Sequence, residues 1–157
     1  MTTKSLAVAQ YILDRCRESG DTAVTPMQLL KLVYIAHGHM LGKYGMPLLD
    51  EPVQAWQYGP VVNSVYQAVR HFGSAPVRMV CNHVNENAFT PDERHTMDMV
   101  ARDFGRIDGV TLSAATHKSG TPWATTWEWH GQNAIISNDL IEHFYRRNLS
   151  LPSYSSL

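Results

Sequence analysis

Cysteine is scarce: Cys16 and Cys81 stand far apart and outside any CxxC pattern. That usage excludes a disulfide framework or a cysteine-built zinc ribbon, and fits two free thiols in a reducing cytoplasm. Long apolar runs are missing as well. The opening stretch MTTKSLAVAQYILDRC is interrupted by Asp14 and Arg15, so it reads as neither signal peptide nor membrane span. No sign of charge dominates: 13 Lys and Arg face 14 Asp and Glu, for a net charge of −1. Arg70, Lys118, Arg146 and Arg147 are too few and too dispersed for a basic stripe, and nucleic-acid binding is not expected. Neither GxGxxG nor GKS/GKT occurs, which removes the common phosphate cradles. No period of twenty to fifty residues repeats, so a solenoid is not expected. The expectation is a soluble cytoplasmic protein without a membrane segment.

What remains is an ordinary globular composition. The 157 residues suit one domain that buries roughly 70% of its unfolded surface, with 44% apolar and 17% charged residues. Leu6, Ala9, Ile12 and Leu13 recur at helical spacing, predicting a helix over 4–18 that Gly20 stops. Thr25, Pro26 and Gln28 form a strong start signal for the next helix. That helix is apolar nearly all round, from Leu29 and Leu30 to Met40 and Leu41, as a helix in the middle of a domain is. Gly42, Gly45 and Pro47 end it. Alternation from Pro52 to Tyr58 predicts a short strand or hairpin near 52–58, and Gly59-Pro60 then predicts the opening of another helix, ending at Gly73. Residues 74–89 read as a loop or as a short strand with a turn. Thr90, Pro91 and Glu93 repeat the capping signal, followed by helices over 110–118 and 137–147. The fold class expected is mainly α, five to six helices around the central helix over 27–44, plus one small β element. Residues 4–147 form the single domain, and 148–157 a flexible Ser-rich tail.

Three ordered stretches carry a family likeness: TPMQLLKLVYIAHG, PVQAWQYGPVVNSVYQ and LSAATHKSGTPWATT. In these the chain resembles the Panacea domain family, also called SocA-like or phage-associated GepA-like. The resemblance spans nearly the whole chain and implies a compact, mostly helical domain encoded in bacteria, prophages and mobile elements. It further implies an antitoxin that binds and neutralises a separately encoded protein toxin, or an adaptor that presents such a protein to a cellular protease. Some relatives place a DNA-binding helix-turn-helix ahead of this domain. Here the likeness begins within a few residues of Met1, so autonomous operator binding is not expected.

The residues themselves point the same way. In AWQYGP, Trp56 and Tyr58 are large anchors with one polar tip each, buried as scaffold or exposed as binding groups. LSAATHKSGTPW supplies Ser113, Thr116, His117, Ser119 and Thr121, a set that invites a hydrolase with His117 as base. No carboxylate lies near, the closest being Asp108 and Glu128, so capping by Thr116 or Ser119 and loop-holding by His117 is the simpler reading. His37 and His39 stand two apart and diverge on a helix, while His71, His83, His95, His130 and His143 are scattered, so no metal site is expected. No catalytic residue and no cofactor is assigned. The candidate partner-binding residues are Tyr44, Trp56, Tyr58 and His117. The pattern sets no oligomeric state.

Overall fold

The computed structural model describes residues 3–149. Seven α-helices occur among them, α1 (Lys4–Glu18), α2 (Pro26–Tyr44), α3 (Asn63–Val69), α4 (Pro91–Phe104), α5 (Gly109–His117), α6 (Pro122–His130) and α7 (Asn138–Leu149). Three short strands, β1 (Val53–Trp56), β2 (Gly59–Val61) and β3 (Ala134–Ile136), form an antiparallel sheet in the order β2-β1-β3. The domain is mainly α, as the sequence implies.

Helix α2 is the axle. Its Thr25 hydroxyl accepts from the Gln28 N–H while the Gln28 side chain accepts from the Thr25 N–H, a complete capping box with Pro26 in the first turn. Gly45 closes the helix in the left-handed conformation, at φ 69°. Leu29, Leu32, Ile35 and Ala36 are fully buried, as the all-round apolar pattern requires. His37 is fully buried too: its Nδ1 accepts from the Leu48 and Leu49 N–H groups, both at 3.2 Å, and Nε2–H donates to Asn138 Oδ1 at 2.9 Å. This is a neutral imidazole, and burial holds its pKa below the ordinary value. His39 is also buried, between the rings of Phe104 and Tyr145, and desolvation takes it down to about 4.

Helix α7 packs along α2 at close range. Gly38 and Gly42, one turn apart, form a shallow groove into which Tyr145 fits: a Cβ on Gly38 would lie 2.2 Å from the Tyr145 ring. Helices α1 and α4 lie side by side, joined by Lys4–Glu93 at 2.5 Å and by Tyr11, whose hydroxyl donates to Asp98 at 2.8 Å. Helix α4 repeats the capping box with Thr90 and Glu93. Cys16 is fully buried, its thiol pushed up to about 11 by desolvation, and Cys81 is half-buried; both are free.

Four expectations change. Residues 59–61 form a strand rather than a helix start, and α3 begins only at Asn63. The β element gains a third strand from near the other end of the chain, with Gln54 opposite Ile135. Helix α6, which carries Trp123, Trp127 and Trp129, brings the described helices to seven against the five to six expected. Helix α7 includes Asn148 and Leu149 of the expected tail, the rest of which lies outside the described residues. Among the described residues no helix is long and apolar enough to cross a membrane.

Candidate functional site

Strands β1 and β2 meet in a turn at Gln57 and Tyr58, and α5 and α6 clamp that turn from behind. Trp123 donates its indole N–H to the Trp56 carbonyl at 2.7 Å. The Gln57 carbonyl faces His117 Nε2 at 3.0 Å, and the Ser113 hydroxyl donates to the Tyr58 carbonyl at 2.8 Å. Three consecutive backbone carbonyls therefore face polar groups from one stretch of α5 and α6. The sequence stretches AWQYGP and LSAATHKSGTPW are one structural unit.

His117 works inside that unit. Its Nδ1 faces the Ser113 carbonyl at 2.6 Å and its ring stands edge-on to Trp123, 4.2 Å between centroids. With both ring nitrogens turned to carbonyl oxygens, the nearby hydroxyls find other partners. Ser113 donates to Tyr58, and Thr116 to the Leu112 and Ser113 carbonyls. The pair that a hydrolase built on His117 with Ser113 or Thr116 requires is not assembled. Thr121, rather than Thr116 or Ser119, is the helix cap: its hydroxyl accepts from the Ala124 N–H and donates to the Thr116 and Lys118 carbonyls. Among the described residues no three His, Cys, Asp or Glu side chains group so as to hold a metal ion.

The clamped turn forms one wall of a cleft of about 480 Å³. Trp56 and Tyr58 line it from the hairpin, Met27, Leu30 and Lys31 from α2, and Tyr66 and Arg70 from α3 and the turn after it. Trp56 is half-buried, edge-on to Tyr66 at 4.8 Å, with its indole N–H donated to Gln54. Tyr58 is 64% exposed. Gly59 closes over the lysine: at φ +126° it holds a conformation L side chains rarely adopt, and a Cβ there would lie 2.8 Å from Lys31 Cε. Lys31 is only 1% exposed, and it forms no hydrogen bond or ion pair among the described residues. Burial draws its ammonium down to about 8.

Of the four residues singled out from sequence, Trp56 and Tyr58 line this cleft and His117 fixes it from behind. Tyr44 is not brought to it: thirteen residues separate it from Lys31 along α2, about 20 Å at the helical rise. Lys31, Tyr66 and Arg70 were not singled out. The available signal was a lysine in the first half of a helix that is apolar nearly all round. A second groove, of about 560 Å³, lies between α1 and residues 78–86. Arg15 there pairs with Glu18 and Glu86, and Arg17 donates to the Val77 and Arg78 carbonyls. Gln10 meanwhile ties down the Val80 and Cys81 N–H groups.

A family profile described as "Antitoxin SocA-like, Panacea domain" matches residues 29–124, more than half of the chain and the whole clamped unit. The chain belongs to the Panacea family. Among curated proteins this Panacea domain is similar to Antitoxin SocA of Caulobacter vibrioides (strain NA1000 / CB15N). The two are 28% identical over 138 residues, which cover 81% of this chain and 72% of that protein. No solved structure matches this Panacea chain.

Proposed function

We propose that this chain is an antitoxin that neutralises a cognate protein toxin in the cytoplasm by direct binding, without chemistry of its own. The observation that carries this reading is the family match over residues 29–124, which include most of those that build the cleft. The name of the similar protein, Antitoxin SocA, supports it. The geometry is consistent with a binding role: the hydroxyls beside His117 serve backbone carbonyls, while a rigidly held turn displays Tyr58 to solvent. A standard interface of about 1,600 Å² with a few aromatic anchors suffices for tight neutralisation.

The test is co-expression. A product of an adjacent gene is expected to arrest growth when made alone, and growth is expected to return when this chain is made with it. The purified pair should co-elute as one complex. If no adjacent product is both toxic and bound by this chain, the reading fails.

A further inference from the structure

The cleft beside the clamped turn has an uneven chemistry. Its walls are mainly aromatic and aliphatic, with the amides of Gln57 and Gln132 among them, and its charged lining groups are Lys31 and Arg70, both cationic, with no carboxylate present. Lys31 is almost wholly withdrawn from water, yet no acceptor meets its ammonium among the described residues. A buried charge left without a counter-ion is costly, and proteins normally pair or hydrogen-bond such a group. The surroundings hold the group where it is. Gly59 lies against its terminal methylene, and the Thr116 hydroxyl, on the same side of Gly59, donates to α5 carbonyls. A site with an unpaired buried cation, a second cation at its edge and apolar walls is complementary to an anion carried on an apolar stem.

We propose that this cleft receives an Asp or Glu side chain of the bound toxin, set beside an apolar residue, with Lys31 as its buried counter-ion and Arg70 guiding it at the rim. This rests on the antitoxin reading above and deepens it. The carboxylate supplies what Lys31 lacks, and the apolar neighbour rests on Trp56 and Tyr66. Desolvation by the docked segment strengthens the pair. The volume, about 480 Å³, admits one or two side chains and not a folded element.

Two measurements decide it. In the first, 3-phenylpropionate and its neutral amide are titrated into the full chain while the Trp56 indole signal is followed by NMR. The acid is expected to perturb the indole and to bind at least about tenfold more tightly than the amide, a preference that Lys31→Met removes. Equal binding of acid and amide, or an unchanged preference in Lys31→Met, overturns the proposal. In the second, the toxin identified by co-expression is titrated against the wild-type chain and Lys31→Met, with Arg70→Gln as a surface variant that leaves the buried position intact. Lys31→Met is expected to weaken binding by at least about thirtyfold, mainly through faster dissociation, and Arg70→Gln to slow association at low salt. Circular dichroism and melting confirm that both variants are folded. If the wild-type chain neutralises the toxin and Lys31→Met does so equally well, the site falls while the antitoxin reading stands. If the wild-type chain neutralises no adjacent toxin, both fall.

Discussion

Lys31 is a charged residue held in a costly folded environment. Burial lowers its pKa from 10.5 to about 8, a displacement equivalent to about 3 kcal/mol. The sign follows from proton linkage. Below about pH 8 both folded and unfolded chains carry the charge, and the full penalty opposes folding. Between about 8 and 10.5 the unfolded chain holds more protons than the folded one, so this contribution raises stability with pH; above 10.5 the penalty is gone. Lys31→Met keeps the stem and removes the charge. At pH 7 the variant is expected to be more stable than wild type by up to about 3 kcal/mol, with the gap closing as pH rises from 8 to 10.5. Urea unfolding of both proteins at a series of pH values measures it. The Cys16 thiol, pushed up to about 11, and the raised Tyr11 phenol act in the opposite direction, but they are common to both proteins and cancel in the difference. A variant less stable than wild type at pH 7, with a gap that ignores pH, would show that the lysine is satisfied by the fold itself.

At the scale of elements, the closest fit is between α2 and α7. A Cβ at Gly42 would lie 2.6 Å from Tyr145 Cβ, 2.8 Å from its carbonyl carbon and 2.9 Å from the Arg146 nitrogen. Backbone cannot swing aside as a side-chain tip can, so Gly42→Ala must push α7 away from the axle. The expected cost is about 1–3 kcal/mol, read as a lowered melting temperature. Faster amide exchange is expected in α7 and not in α1. This contact also marks where sequence reading stops. The capping signals Thr25/Gln28 and Thr90/Glu93 are local chemistry and both form as the spacing implies; the all-round apolar stretch likewise locates α2. Gly59-Pro60 is misleading because a glycine followed by proline opens helices and edge strands alike. What makes it a strand is β1, whose other neighbour, β3, lies about eighty residues further on. The same distance hid the cleft. That Lys31 meets Gly59, and that His117 and Trp123 hold the turn above it, are long-range facts, whereas Trp56 and Tyr58 were visible as large aromatics beside a turn.

For the molecule as a whole, α2 separates two jobs along its length. Its first half supports the clamped hairpin and the cleft with Lys31, while its second half is occupied by α7 and ends at Tyr44. Tyr44 is half-buried and packs against the core, with Lys43 over its ring at 5.4 Å. Tyr58 instead stands out from a turn held through its backbone carbonyls, so removing its ring leaves the clamp untouched. On the proposed reading, these two tyrosines exchange roles when replaced by alanine. Tyr58→Ala is expected to raise the Kd for the toxin by about thirtyfold, as loss of an aromatic anchor does, with melting temperature unchanged. Tyr44→Ala is expected to lower the melting temperature by several degrees, about 1–3 kcal/mol of lost packing, with Kd unchanged once the protein is folded. Titration calorimetry and thermal melts on the same two variants supply both readings. Should Tyr44→Ala weaken binding and Tyr58→Ala leave it intact, the toxin seats at the α7 end of the axle, and the cleft is a structural seam rather than the face that meets the partner.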